Sequence, residues 1–335
     1  MTIHISVDAM GGDHAPAEIV AGVLQAAQKW PDTGILLVGN QDAVGPILKS
    51  LVTEVPENLA VIHAPSVITM EDTPVDAIRK KPDSSIVLSA ELVRRGEAAA
   101  MVSAGNTGAC VAIASLLLGL LDGVKRPGIA VPMPTPDGCA ILIDAGANMS
   151  CKPAHLLQYG AMASVYYENI FGVKRPKVGL LNVGVEDAKG NELVKQTRSL
   201  FQKSTLNFIG NIEGQDIYRG NCNVVVCEGF VGNVILKATE GVAETVEILL
   251  TKSLRGLVDS QGRSQLGCDP VAIVKEKMDY AEYGGAPLLG LKGACIICHG
   301  RSRGKAICNA IRVARDIARH QVNDQIVNQV RDLPQ

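Results

Sequence analysis

The chain is poor in aromatic residues: 3% of its 335 positions are Phe, Trp or Tyr. A groove for single-stranded nucleic acid stacks bases on such rings, and this scarcity argues against one. An excess of either charge is also missing. The net charge is -2, without the basic footprint of a nucleic-acid binder. No nucleic-acid partner is expected. Long apolar runs are absent too. The longest, residues 109–121, contains Gly119 and falls short of a bilayer span. Met1 is followed by no basic n-region and no small-residue cleavage pattern. No export signal is therefore expected, and the localisation read from the sequence is cytoplasmic. The nine cysteines form no regular framework and read as reduced, mostly buried thiols. Cys295-Ile296-Ile297-Cys298-His299 matches a haem-attachment string. It lies in an apolar run that reads as a strand, whose alternation sends the two thiols to opposite faces. With no helical His-Glu-x-x-His either, no metal site and no cofactor are expected.

What is present is alternation. Short apolar runs at 3–7, 35–38, 59–63, 99–103, 128–131, 140–144, 178–182, 207–210, 224–227 and 294–298 read as strands. Amphipathic stretches lie between many of them. In 16–30, for example, Ile19, Val20, Val23, Leu24 and Ala27 share one helical face. This pattern predicts an α/β fold with a mostly parallel sheet and helices on both faces, three layers in α/β/α order. No linker or low-complexity tract divides the chain, so residues 1–335 read as one domain. Residues 234–283 read differently, as a helical hairpin inserted in that domain and projecting from it. Its polar break is at 259–269 and its second helix opens at Pro270. The apolar stripe through Val242, Val246, Leu249 and Leu250 suits core or dimer packing; the alternative is a tip that touches a membrane or a partner.

The chemistry gathers at glycine junctions where strands end. The first is Asp8-Ala9-Met10-Gly11-Gly12-Asp13. Then come Ser103-Ala104-Gly105-Asn106-Thr107-Gly108 and Asp144-Ala145-Gly146-Ala147-Asn148. Asn182-Val183-Gly184 is followed by Lys189-Gly190-Asn191. Glu228-Gly229-Phe230-Val231-Gly232-Asn233 and Tyr283-Gly284-Gly285-Ala286-Pro287-Leu288-Leu289-Gly290 complete the set. Any one of them suits plain turn chemistry. Several on one parallel sheet share its carboxyl edge, where backbone amides favour a common anion site. A dinucleotide Gly-x-Gly-x-x-Gly after the first strand is missing. Residues 300–306 are one short of a P-loop and end in Ala306. No Gly-x-Ser-x-Gly elbow exists. The carboxylates of Asp8, Asp13 and Asp144 suit caps or acceptors as well as substrate roles. Lys189, in a glycine-bounded loop, either reaches a phosphate or carbonyl or stands solvated.

Without the one at Asp144–Asn148, the junctions in this combination resemble the PlsX phosphate acyltransferases, acyl-carrier-protein:phosphate transacylases of bacterial phospholipid synthesis. The resemblance runs in order from Val7 to about Ala310. It implies a fold like the isocitrate and isopropylmalate dehydrogenases, and a homodimer working at the membrane face. The implied donor is acyl carrier protein with a long-chain acyl group, and the implied acceptor is inorganic phosphate. Acyl phosphate would then pass to a membrane glycerol-3-phosphate acyltransferase. Lys189 and Asn233 are the catalytic candidates on this resemblance. Asp8, Gly11, Gly12, Asp13, Ser103, Gly105, Asn106, Thr107, Gly108, Asp144, Asn148, Asn182, Gly184, Gly229, Gly232 and His299 are read as phosphate- and substrate-binding. His299 is either an acid for the leaving thiolate or a structural histidine beside a core strand. Arg79-Lys80-Lys81, Arg94-Arg95 and Lys125-Arg126 are candidate docks for an acidic carrier. Two other readings compete: a metal-dependent NAD decarboxylating dehydrogenase of the same fold, and a non-enzymatic scaffold at a membrane surface.

Overall fold

The computed structural model describes residues 2–69, 72, 79–254 and 283–334. Its strands, in chain order, are β1 (Ile3–Asp8), β2 (Thr33–Gly39), β3 (Leu59–His63), β4 (Ala100–Ser103), β5 (Gly128–Ile129), β6 (Val131–Thr135), β7 (Gly138–Ile143), β8 (Val178–Leu181), β9 (Phe208–Ile212), β10 (Val224–Val226), β11 (Ala286–Leu289) and β12 (Ala294–Ile297). The helices are α1 (Ala17–Lys29), α2 (Gln41–Leu51), α3 (Ser85–Arg94), α4 (Thr107–Leu118), α5 (Pro153–Phe171), α6 (Glu192–Gln202), α7 (Asp216–Arg219), α8 (Gly229–Leu254), α9 (Gly304–Arg319) and α10 (Val322–Arg331).

The α/β class and the parallel bias hold, but the strands sort into two sheets. One runs β3-β2-β1-β4-β12-β11-β5 and the other β6-β7-β10-β8-β9. In the first, β1 pairs in parallel with β2 and β4, and β12 with β4; only β11 and β5 join antiparallel. In the second, β7, β10, β8 and β9 are parallel and β6 is an antiparallel edge. Strands buried on both faces need no alternation of polar residues, which is why these runs are almost wholly apolar. Successive residues of β4 enter different apolar clusters: Met101 packs with α3 and α4, Val102 with α1 and α9. The larger cluster crosses both sheets, from Val7 and Val102 in the first to Ile143, Leu180 and Val226 in the second.

Three details depart from the sequence reading. The run 128–131 is one strand candidate in the sequence, yet buried Ala130 divides it: β5 stays in the first sheet and β6 enters the second. β6 carries Pro132 and Pro134, which a strand tolerates at a sheet edge, where a missing N–H costs no ladder bond. β11 lies inside the sixth glycine junction, where the sequence suits plain turn chemistry. The sequence reading starts the helical hairpin at residue 234. Its first helix begins at Gly229 and is described to Leu254; the break at 259–269 and the second helix lie outside the described residues. No helix among the described residues is long and apolar enough to cross a membrane.

Candidate active site

The site is built from turns at the carboxyl ends of parallel strands in both sheets. Asp8 ends β1 and is buried. Its carboxylate accepts from the Met10 amide at 3.1 Å and from the Ser103 hydroxyl at 2.7 Å. Ser103 Oγ in turn accepts from the Gly105 amide at 3.1 Å. The turn after β1 and the turn after β4 are therefore one network. Gly11 is obligatory in it: a Cβ there would stand 2.6 Å from Asp8 Oδ2 and 2.7 Å from the Gly105 nitrogen. The Gly11 amide also points at Asp8. Gly11 and Gly105 are thus committed to holding the wall. The amides of Thr107 and Gly108, in the first turn of α4, have no intrahelical acceptor and are the ones that can face an anion. The Asn106 side chain caps that helix, accepting from the Ala109 amide at 3.0 Å.

Burial pushes the Asp8 carboxyl above its ordinary 3.8, against the lowering pull of hydrogen bonds from Ser85, Ser103, Met10 and Gly11. The folded carboxyl then binds its proton more tightly than the unfolded one. The native state binds more protons, and stability falls as pH rises above 3.8. Asp8→Asn removes this slope. As pH rises from about 4, melting curves should show wild type losing stability relative to the variant. Parallel curves would contradict the burial of a charge at this position.

In the second sheet Asp144 plays the matching part. It follows β7, is fully buried, and its carboxylate accepts five hydrogen bonds: from the amides of Ile129, Gly146, Ala147 and Asn148 and from Asn148 Nδ2. Asn148 Nδ2 also donates to the Pro127 carbonyl at 2.7 Å, closing the turn onto the first sheet's β5 segment. The start of α8 rests on this turn. The Gly229 amide donates to the Asn148 carbonyl at 3.1 Å. The half-buried Asn233 packs over Gly146, its Cβ 3.4 Å from where a Gly146 Cβ would stand. Glu228 accepts from the Phe230 amide at 3.1 Å.

A cleft of about 400 Å³ joins the two halves, with Thr107 and Gly108 on one side and Gly146, Ala147 and Asn148 on the other. Elsewhere, the 299–301 loop ties the turn after β1 to α8. The Asp13 amide donates to the Gly300 carbonyl at 2.8 Å, His299 lies 3.9 Å from Glu240 of α8, and Arg301 pairs with Glu244 at 2.8 Å. Burial lowers the His299 imidazole from 6.5, more than Glu240 raises it. Its Nδ1 accepts the Arg301 amide, which favours the structural role over that of an acid. The rejected P-loop-like segment has its helix start plugged, since the Gly304 amide donates to Glu18 at 2.8 Å.

Lys189 stands apart. It is exposed on the loop after β8, the strand beside β10, and its ammonium makes no ion pair among the described residues. Its loop is fixed by Asn182, which donates to the Gly184 carbonyl at 3.0 Å, and by Asn191, which caps α6. No contact joins Lys189 to Asn233 among the described residues; what they share is the carboxyl edge of one sheet. Sequence reasoning missed Ser85, the remote partner of Asp8, which no local motif marks. It also missed Lys125 and Arg126 as lining of the cleft. Cys295 and Cys298 do enter opposite apolar clusters, and both are free thiols pushed up by burial. Among the described residues no three His, Cys, Asp or Glu side chains converge as metal ligands.

The fold is that of the phosphotransacylases. A phosphotransacetylase from Streptococcus pyogenes superposes with a TM-score of 0.62 at 15% identity, over 95% of this chain and 94% of that one. The EutD phosphotransacetylase from Staphylococcus aureus gives 0.60 at 15% identity, over 95% of this chain and 94% of that one. Residues 3–325 match the family described as "Fatty acid synthesis protein". The phosphate acyltransferase of Desulforamulus reducens is 48% identical over 94% of this chain and 93% of its own length, and that of Aquifex aeolicus is 44% identical over 99% and 98%. The chain belongs to this family, the PlsX-type phosphate acyltransferases, and is an acyltransferase.

Proposed function

We propose that the protein transfers a long-chain acyl group from the thioester of acyl carrier protein to inorganic phosphate, releasing acyl phosphate and the carrier thiol. The observation that carries this reading is a cleft shared by both sheets. It sets the free amides of the α4 first turn against the Gly146 turn that supports Asn233. Phosphate near neutral pH is already a nucleophile, so positioning and charge stabilisation suffice.

In this account the acceptor sits on the Thr107 and Gly108 amides, on a wall kept rigid by Asp8 and Ser103. A phosphate oxygen attacks the thioester carbonyl. Asn233 donates to the oxyanion that develops, and Lys189 swings in to offset the phosphate charge. As the intermediate collapses, the C–S bond breaks and the thiolate leaves. One domain does this chemistry. It works as a homodimer, with the exposed Val242 and Leu249, seven residues apart on α8, available to a second copy. The product, a reactive mixed anhydride, goes to a membrane glycerol-3-phosphate acyltransferase, and the inserted hairpin makes the peripheral membrane contact.

The test is incubation with palmitoyl carrier protein and labelled phosphate. Labelled acyl phosphate should form one for one with free thiol. Lys189→Ala should lower that rate about 100-fold while the fold persists. Thioester hydrolysis without labelled product would contradict the reading.

A further inference from the structure

The cleft holds a second feature that the transfer step leaves unused. Lys125 and Arg126 line it together with Val111, Ala112 and Leu120. Both cations are exposed, and neither is ion-paired among the described residues. Lys152, exposed and also unpaired there, stands close by. All three bear on one imidazole: burial first, then Arg126, Lys152 and Lys125, hold His155 below its ordinary 6.5. His155 Nδ1 accepts the Lys152 amide at 3.2 Å, as a neutral ring does. The nearby carboxylate of Asp122 lies 3.5 Å from Lys292. Like charges gathered without a counter-charge repel, and a bound anion relieves that repulsion. The cleft thus offers cations at its exposed rim and an apolar wall, and it reaches the turn under Asn233.

We propose that this cleft seats the phosphopantetheine arm of the acyl donor, with its phosphodiester on Lys125 and Arg126 and its thioester carried past Val111, Ala112 and Leu120 to Asn233. The proposal rests on the acyl-transfer reading and adds to it the residues that recognise the donor. The arm matches the cleft in kind: a charged phosphodiester at the outer end, a flexible chain of amides and methylenes, and the reacting thioester at the inner end. The acceptor phosphate is kept for the Thr107 and Gly108 amides.

The experiment compares wild type with the double variant Lys125→Gln/Arg126→Gln on three donors: acyl carrier protein, acyl-phosphopantetheine and acyl-pantetheine, which lacks the phosphate. Two charge-assisted contacts predict a loss of about 30-fold or more in kcat/KM, carried by KM, with both phosphorylated donors. With acyl-pantetheine the two enzymes should converge, and the KM for inorganic phosphate should stay constant. Equal losses with acyl-phosphopantetheine and acyl-pantetheine would overturn the proposal. So would a loss confined to the carrier protein, which would mark a docking surface for its acidic face. A raised KM for inorganic phosphate would overturn it too, by placing the acceptor on these cations. Calorimetry with phosphopantetheine alone supplies a readout without turnover: wild type should bind it and the variant should not. If wild type makes no acyl phosphate from any donor, the acyl-transfer reading fails, and calorimetry still decides whether the cations hold the arm.

Discussion

Gly232→Ala should cripple the enzyme and destabilise it together. A Cβ at this position would stand 1.9 Å from the Asp144 carbonyl oxygen and 2.9 Å from its carbon. Asp144 cannot retreat, because five hydrogen bonds to its carboxylate fix the turn. The start of α8 must move instead, and Asn233 moves with it. Overpacking of this kind costs about 1–3 kcal/mol, and a displacement near 1 Å in a positioning group costs about 100-fold in rate. Gly241 is the control. It lies in the same helix, and nothing among the described residues stands within 4 Å of its would-be Cβ. Gly241→Ala should therefore raise stability by about 0.5–1 kcal/mol, since alanine outranks glycine inside a helix. Thermal unfolding and kcat for the two variants check both arms. Equal behaviour of the pair would contradict the close packing of α8 on Asp144.

Much of the fold was legible because its strands are buried on both faces. Continuous runs such as those ending at Asp8, Ser103 and Asp144 suit nothing else of that length. The division into two sheets was not legible. Every strand–helix unit looks alike in sequence, and the crossing falls on Ala130, whose neighbours on both sides are apolar. β6 was hidden by Pro132 and Pro134, whose tolerance depends on an edge position that only the assembled sheet reveals.

The site was legible in parts. Paired glycines and a carboxylate after an apolar run mark a turn, and in the structure Gly11 packs closely against Gly105. The division of duties was hidden. Asn106, Asn148 and Asn182 read as binding residues in sequence, and in the structure their side chains also hold the turns. Ser85 and Ser103 reach Asp8 from distant positions, and the cations at the cleft rim gain meaning only beside the 146–148 turn.

Asn233→Ala separates chemistry from scaffolding. Asn233 is half-buried and packs over Gly146. Its removal leaves the Asp144 network and the Gly232 contact intact, so the melting temperature should change little. An oxyanion donor is worth about 100- to 1000-fold in kcat, and the loss should fall on kcat with the KM for phosphate nearly constant. A smaller loss, or one confined to KM, would make Asn233 a positioning residue and move the oxyanion donor elsewhere in the cleft.

In the proposed reaction the acceptor phosphate binds on the first-turn amides of α4, inside the cleft shared by both sheets. A crystal structure with orthophosphate tests this most directly. Phosphate oxygens should stand about 3 Å from the Thr107 and Gly108 nitrogens, facing Asn233. Phosphate bound outside this cleft, with the α4 amides left to solvent, would contradict it.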